Sequence, residues 1–298
     1  MSKADDLFIK MCQEVLAEDN LQECRAVWKD SGEQSKTISK FGVVNRYNLK
    51  EEFPILTLRP IPLKKAIDEI LWIYQKKSNN IHDLNSHIWD DWADSNGSIG
   101  AAYGYQVKTK LRRVMTEVTT NETDNAEFVT VQNEFVDQTD FVLHELKHNP
   151  FNRRIVINLL DVGDVDMMGL EPCAFLTNFK VTVNKETGKK VLNAALMQRS
   201  QDILAANGWN VAQYAALVHM FAQVSDMEVG EFVHVITDAH IYDRHIDTVK
   251  ELITRETYPA PKLWINPEVK NFYDFTVDDF KLIDYNHGEA VKGIDVAV

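Results

Sequence analysis

The sequence of 298 residues predicts an α+β fold. Strand-like and helix-like segments are mixed along the chain without the regular alternation that parallel βαβ units require. Residues 174–184 and 191–200 alternate between apolar and polar residues around the turn NKETGKK, which is typical of a β-hairpin. Residues 210–224 have a helical pattern that is apolar on nearly all sides, so we expect this helix at the centre of the fold.

The first third of the chain alternates between helix and strand. Helical periodicity covers residues 4–19, and alternation over residues 37–49 indicates a strand that continues into the extended segment FPILTLRPIP. Pro62 suits the first position of a helix, and the apolar residues of 63–75 fall on one helical face. We therefore expect a helix that begins directly after this proline.

The middle of the chain is less regular. Residues 86–106 are rich in Trp, Gly and Asp, and we expect an ordered loop region there. Residues 107–136 have clusters of Thr and Asn and weak periodicity, which we interpret as a variable insertion. The remaining patterns predict a helix at 138–148, strands at 155–160 and 231–240, and a helix at 248–255.

Composition limits the possible ligands. The formal charge of −13 disfavours binding to duplex DNA or anionic membranes, so any anion must be held by a few local arginines. This favours a small phosphorylated ligand over a polymer. There is no run of 18 apolar residues and no signal-peptide pattern at the start. Three scattered cysteines, Cys12, Cys24 and Cys173, predict neither a disulfide framework nor a zinc cluster, and we expect the reducing cytoplasm.

Several short motifs gain specificity from their order and spacing, although none is specific alone. They are FPILTLRP, EILW, IWDDWA with Gly100 and Tyr103, NRR at 152–154, LEPCAF with Cys173, QRSQD at 198–202, NVAQY at 210–214, DAHIY at 238–242 and DVAV at 295–298. Together they resemble the thymidylate synthase family, the folate-dependent enzymes with a cysteine nucleophile, over nearly the whole chain.

The sequence departs from the family pattern at four places. Ala174 follows the cysteine where most members have His, and AANGWN at 205–210 replaces the usual LGxPFN. AVWKDSGEQ replaces a Thr/Gly-rich loop after Arg25, and Thr237 replaces a Gly. These features resemble a divergent bacterial subgroup, and they concern the folate pocket more than the chemistry.

The resemblance implies reductive methylation of dUMP to dTMP. The one-carbon unit and the hydride would come from 5,10-methylenetetrahydrofolate, which leaves as dihydrofolate, and no metal would be needed. It also implies one catalytic domain over residues 1–298, with a small-domain insertion at about 107–136. A large mixed sheet packed with helices would form this domain, and two sheets would meet in a homodimer.

Four residues are predicted to take part in the chemistry. C5 of uracil becomes nucleophilic when a thiolate adds to C6, and Cys173 is the candidate nucleophile because Arg199 can favour its ionisation. Without this context, a buried structural cysteine would be the ordinary interpretation. Glu69 is predicted to shuttle protons through water, although it could instead be a surface charge. The resemblance adds Tyr103 for removal of the C5 proton, and Asp202.

The resemblance also implies a phosphate site shared by two subunits. Arginine binds phosphate through two parallel hydrogen bonds and keeps its charge. Arg153 and Arg154 would reach the site of the neighbouring subunit, whereas an adjacent arginine pair is otherwise most often a solvated surface pair. The other residues expected at the dUMP site are Arg25, Arg199, Ser200, Gln201, Asp202, Asn210, His240, Ile241 and Tyr242.

Asn210 is expected to select the base. Its amide can donate to O4 and accept from N3–H of uracil, whereas cytosine presents the opposite pattern. A helix N-cap is the alternative role for Asn210, and both roles could hold. By resemblance, His240 and Tyr242 would bind the 3′-hydroxyl of the ribose, although a single His on a strand is more often structural.

The folate site is expected to include Trp89, Trp92, Asp202 and Ala297. The tryptophans could also be ordinary core residues. Ala297 belongs to a C-terminal tail that would close over the folate and keep water from the methylene intermediate. Two alternatives remain: a dUMP hydroxymethylase of the same fold, in which water traps that intermediate, and a regulator that binds nucleotide or RNA without catalysis.

Overall fold

A computed structural model describes residues 2–108, 110–120 and 127–298, with residues 110–120 and 127–135 given through their backbone only. It confirms the α+β class. The helices are α1 (Lys3–Leu16), α2 (Leu63–Tyr74), α3 (Gly104–Lys108), α4 (Gln138–His148), α5 (Gly208–Val224) and α6 (Ile246–Leu252). The strands are β1 (Gln22–Val27), β2 (Gln34–Asn48), β3 (Lys110–Thr120), β4 (Glu127–Val136), β5 (Val156–Asn158), β6 (Ala174–Val183), β7 (Lys190–Asp202), β8 (Glu228–Tyr242), β9 (Lys262–Ile265) and β10 (Phe280–Ile283).

One mixed sheet organises the molecule. Six strands pair in the order β1-β2-β8-β7-β6-β5, and all neighbours are antiparallel except β7 and β8. The parallel pair places Ser200 beside Asp238 and Asp202 beside His240. The motifs QRSQD and DAHIY therefore end side by side at the same edge of the sheet.

Helix α5 lies at the centre of the core, as its apolar pattern predicted. Twelve of its residues are buried, and it contacts α2, β7 and β8. A π-helical turn over Ile203–Asn207 connects β7 directly to α5. Because this connection is so short, residues at the start of α5 are held close to the end of β7.

Several elements were not predicted from the sequence. The edge strand β1 is short and polar, and β9 and β10 have only four residues each, so none carries a clear alternation. Strands β3 (Lys110–Thr120) and β4 (Glu127–Val136) pair with each other inside the stretch that we interpreted as a variable insertion, whose weak periodicity did not indicate them. Residues 109 and 121–126 of that insertion lie outside the described residues.

The sheet face turned away from α5 carries apolar side chains. On β2, Phe41 is 85% exposed and Val44 is 52% exposed. Val44 pairs with Val235 on β8, which in turn pairs with Met197 on β7. A stripe of apolar residues thus crosses three strands on a face that the described residues leave uncovered.

A buried carboxylate fastens α1 to the rest of the fold. Asp5 is fully buried, and its oxygens accept hydrogen bonds from the backbone N–H and the hydroxyl of Thr57, at 2.8 and 2.5 Å. The hydroxyl of Thr57 also accepts from the N–H of Tyr258. Burial raises the pKa of Asp5, and the hydrogen bonds from Thr57 oppose this effect.

We expect Asp5→Ala to lower the free energy of unfolding by roughly 2–4 kcal/mol, because each buried donor left unpaired costs about 1–3 kcal/mol. Asp5→Asn keeps an acceptor for Thr57 and should lose less than half as much. Asp6→Ala removes the same charge from the first turn of α1 and serves as the control. Urea denaturation measures all three variants, and equal losses for Asp5→Ala and Asp6→Ala would contradict this role of Asp5.

Candidate active site

Cys173 lies directly before β6, opposite Arg199 on β7. The backbone N–H of Arg199 donates to the carbonyl oxygen of Cys173 at 2.8 Å, and Nη2 of Arg199 is 3.8 Å from Sγ. The guanidinium is held by the carbonyl oxygens of Glu171, at 2.7 Å, and Pro172, at 3.2 Å. Backbone contacts thus fix a positive charge beside the sulfur, as the sequence suggested.

The charge of Arg199 does not dominate the ionisation of the thiol. Burial raises the pKa of Cys173, Arg199 lowers it by less, and Glu171 raises it further. Arg199 therefore favours the thiolate, in the direction that the sequence predicted, and burial of the thiol opposes it.

Tyr103 is held next to Cys173 in an unusual backbone conformation. Its φ of 48° lies in the left-handed region, which is uncommon for residues other than glycine and is often found at functional sites. Its hydroxyl oxygen accepts the backbone N–H of Cys173 at 3.3 Å. Nearby, Gly100 has φ of 72° and would clash with the carbonyl oxygen of Met167 if it carried a Cβ.

Glu69 is a buried carboxylate on α2 that accepts three hydrogen bonds. Trp89 donates to Oε1, and Trp209 and Gln213 donate to Oε2, each at 2.6 Å. Burial raises the pKa of Glu69 as expected, while the three donors oppose that effect. The alternative of a surface charge is wrong, because Glu69 is only 6% exposed.

Asn210 lies inside the first turn of α5, whose N-cap is Asn207, so the N-cap alternative is wrong. Its Oδ1 accepts from Nε2 of Gln198 at 3.2 Å and from Nε2 of Gln201 at 3.3 Å. Nε2 of Gln198 also donates to the carbonyl oxygen of Ser200, and this contact fixes the orientation of the Gln198 side-chain amide. Since Oδ1 already has two donors, Nδ2 is the group of Asn210 available to a ligand.

The arginines expected at the phosphate lie in two groups. Arg199 and Ser200 are on β7, while Arg25 is exposed on the edge strand β1. Arg153 and Arg154 are exposed in the turn before β5, and neither has an ion pair to the described residues of its own chain. This chain therefore does not bring the pair to Cys173.

The end of β8 contributes two of its three expected residues. The rings of His240 and Tyr242 are 5.1 Å apart and share one face. Nδ1 of His240 donates to Asp238 at 3.1 Å. Ile241 points to the opposite face and is fully buried in the core, so its side chain does not join them.

Asp202 retains an unsatisfied buried oxygen. Its Oδ1 accepts the N–H of Ala205 at 3.0 Å, whereas Oδ2 is buried without a hydrogen-bond partner. Nδ1 of His245 lies 3.8 Å from Oδ1. A buried acceptor without a partner is suited to a ligand that donates a hydrogen bond.

The C-terminal tail is docked against β1 and the residue that follows it. Ala297 forms a β-bridge with Trp28, and the N–H of Val298 donates to the carbonyl oxygen of Val27 at 3.0 Å. Nε2 of His245 donates to the carbonyl oxygen of Asp295 at 2.9 Å. Burial opposes protonation of His245, but the carboxylates of Asp202 and Asp295 outweigh this effect and its pKa is raised.

The expected tryptophans form an aromatic cluster beside Glu69. The ring of Trp89 lies 4.8 Å from Tyr103 and 5.7 Å from Trp92. Trp89 is buried, so in this structure it is a core residue, which was the alternative to a role at the folate. Its indole N–H also donates a hydrogen bond to Glu69.

Four polar residues of this region were not singled out from the sequence: Trp209, Gln213, Gln198 and His245. Gln198 is the first residue of the QRSQD motif, so the sequence contained a signal from which it could have been predicted. Trp209 was visible only as a departure from LGxPFN, and its partner Glu69 lies 140 residues away in the chain.

The described side chains, those of 2–108 and 136–298, include no cluster of three His, Cys, Asp or Glu residues that could hold a metal ion. Among the helices that the structure describes, none combines the length and apolar character needed to span a bilayer.

Comparison with known proteins gives a consistent result. The family model described as thymidylate synthase matches residues 6–298. A thymidylate synthase from Bacillus licheniformis is 42% identical over an alignment of 304 residues that covers all of both chains. Thymidylate synthase 1 from Bacillus subtilis is also 42% identical, over 93% of this chain and 91% of the relative.

Among solved structures, the thermostable thymidylate synthase A from Bacillus subtilis matches with a TM-score of 0.84 and 39% sequence identity, and the match covers 99% of each chain. The motifs, the fold and these similarities agree over the full length. This chain belongs to the thymidylate synthase family.

Proposed function

We propose that this protein is a thymidylate synthase that converts dUMP to dTMP. Methylenetetrahydrofolate supplies the one-carbon unit and the hydride and leaves as dihydrofolate. The observation that carries the proposal is the contact of Cys173 with Arg199 and Tyr103 in a chain that the family model matches over residues 6–298. The three cysteines are free, and we propose the reducing cytoplasm as the location.

Cys173 is the nucleophile that adds to C6 of uracil. Burial raises the pKa of its thiol, and the charge of Arg199 opposes this effect by stabilising the thiolate that forms the bond to C6. The addition makes C5 an enolate carbon that attacks the methylene group of the folate. Tyr103, beside the Cys173 backbone, is placed to help remove the C5 proton, and Glu69 exchanges protons through water.

Base selection depends on Asn210. Oδ1 of Asn210 was expected to accept from N3–H of uracil, but it already accepts from Gln198 and Gln201. A hydrogen bond from N3–H would be the third to this oxygen. Donation from Nδ2 to O4 therefore carries most of the selectivity for uracil. Cytosine has an amine in place of O4, and two donors would then face each other.

The phosphate and the ribose are bound at the edge formed by β7 and β8. Arg199, Ser200 and Arg25 meet the phosphate, and His240 with Tyr242 holds the 3′-hydroxyl. Gln201 is 1% exposed and donates to Oδ1 of Asn210, so it supports the site by orienting Asn210.

A homodimer completes the phosphate site. Arg153 and Arg154 are exposed, and the register of β5 with β6 places the turn that carries them away from the end of β6 next to Cys173, so they are available to the partner subunit. The apolar stripe on the outward face of the sheet supports an isologous contact between two such sheets.

The folate lies between Asp202, Trp92 and the tail. The free Oδ2 of Asp202 accepts from the N–H groups of the pterin, and the tryptophans pack against the folate. The docked tail around Ala297 closes the site, so that the methylene intermediate receives hydride rather than water.

Product analysis tests the proposed function directly. Incubation with dUMP and methylenetetrahydrofolate should give dTMP and dihydrofolate in equal amounts, measured by chromatography and by absorbance. Hydroxymethyl-dUMP with tetrahydrofolate would identify a hydroxymethylase instead. An absence of any product would favour a regulator that only binds nucleotide.

Subunit complementation tests the shared phosphate site. We expect Arg153→Ala and Cys173→Ser to be nearly inactive alone, the latter with dUMP binding largely intact. A mixed dimer should regain activity, because one of its two sites has both the thiol and the arginine. Tagged subunits verify the exchange, and a verified mixture without recovered activity would rule out a site shared in this way.

Asn210→Asp should shift the preference from dUMP toward dCMP. The second carboxylate oxygen of Asp replaces Nδ2, so an acceptor meets O4 of uracil and the amine of cytosine. Discrimination should change by roughly tenfold to a hundredfold, since an unpaired buried polar group costs about 1–3 kcal/mol. The ratio of kcat/KM for the two nucleotides measures this change, and an unchanged ratio would assign base selection to other groups.

A further inference from the structure

We propose that Trp209 is a positioning residue that, together with Gln213, occupies Oε2 of Glu69 and restricts proton exchange by this carboxylate to Oε1. The inference rests on the proposed function, because it concerns how Glu69 serves that reaction.

The two oxygens of Glu69 face different surroundings. Trp209 and Gln213 lie four residues apart on α5, so they project from one face of the helix, and both donate to Oε2 at 2.6 Å. Among the residues that the structure describes, Oε1 accepts from Trp89 alone, and the ring of Trp89 lies 4.8 Å from that of Tyr103. Oε2 is therefore turned toward α5, and Oε1 toward the residues around Cys173.

The number of donors on each oxygen decides where a proton can bind. A carboxylate offers about two lone-pair positions on each oxygen. On Oε2, both positions are occupied by N–H groups, while Oε1 has one N–H donor and one position left. An indole N–H can donate but cannot accept, so neither tryptophan can accept a hydrogen bond from the O–H of a protonated carboxyl group. The open position on Oε1 is the one that can take up and release a proton.

Trp209 is also the donor that departs from the usual family pattern. The stretch AANGWN stands where the family pattern has LGxPFN, so Trp209 occupies the place of a phenylalanine. Phenylalanine fills a similar apolar space but has no N–H. The substitution thus adds a donor to a carboxylate whose ionised form is disfavoured by burial.

Trp209→Phe tests the proposal, because it restores the family residue and removes only the donor. We expect the pKa of Glu69 to rise by about one to two pH units, the shift that corresponds to losing one hydrogen bond to a charged group. Infrared titration of the carboxyl band reads this pKa without turnover, and Glu69→Gln identifies the band. Glu69→Gln should also remove one limb of the pH profile of kcat. In Trp209→Phe, the midpoint of that limb should move by the same number of pH units as the pKa of Glu69.

Two further variants complete the experiment. Gln213→Leu removes the other donor to Oε2 and should raise the same pKa, which keeps the test valid if Trp209→Phe does not fold. Trp264→Phe makes the same change at a tryptophan of β9 and should leave the pKa of Glu69 and the kcat profile unchanged.

A Glu69 pKa unchanged in both the folded Trp209→Phe and Gln213→Leu proteins would overturn the positioning role, as would a loss of kcat that is equal at every pH. Failure of the proposed function is distinguishable, since it would appear as a wild-type protein without dTMP formation, whatever the infrared titration gives.

Discussion

The parallel pairing of β7 with β8 is the constraint on which the site depends. In an otherwise antiparallel sheet, this pair brings two motifs to the same edge and sets Asp202 beside His240. Strand β6 pairs with β7 from the other side and places Cys173 against Arg199. The short π-helical turn then returns the chain into α5, so that Asn210 meets the amides of β7. A shift of one residue in β7 would turn Arg199 and its neighbours to the opposite face of the sheet.

Two opposed electrostatic effects govern the groups that react. Burial raises the pKa of both the Cys173 thiol and the Glu69 carboxyl, and polar contacts reduce these shifts without cancelling them. Hydrogen bonds from three N–H groups hold Glu69, whereas one guanidinium approaches Cys173. The nucleophile therefore depends on the charge of Arg199 to offset part of the cost of ionising a buried thiol. The acidic chain also gives its few site arginines a particular importance, since they oppose a net charge of −13.

Local patterns predicted the parts of the fold that have local causes. The apolar helix α5, the hairpin of β6 and β7, and α2 after Pro62 follow from periodicity and turn residues, and all three are present. The short edge strand β1 and the pair β9–β10 carry no such pattern, because main-chain pairing rather than burial defines them. At the site, Cys173, Arg199 and Glu69 could be named from motifs. The roles of Trp209 and of Gln213, which lies within NVAQY, could not be predicted, because they appear only when α2 packs on α5 and brings Glu69 within hydrogen-bonding distance. The resemblance to the family also led to Ile241, which the structure places in the core.

The central claim is that Cys173 forms a covalent bond to C6 of the pyrimidine before the methyl group is made. A nucleotide with fluorine at C5 allows this addition and the attack on the folate, but fluorine cannot leave as the C5 proton does. Mass spectrometry after incubation with 5-fluoro-dUMP and methylenetetrahydrofolate should therefore find the nucleotide and the folate together on the peptide that contains Cys173. An unmodified Cys173, or an adduct at Cys24 instead, would contradict the account.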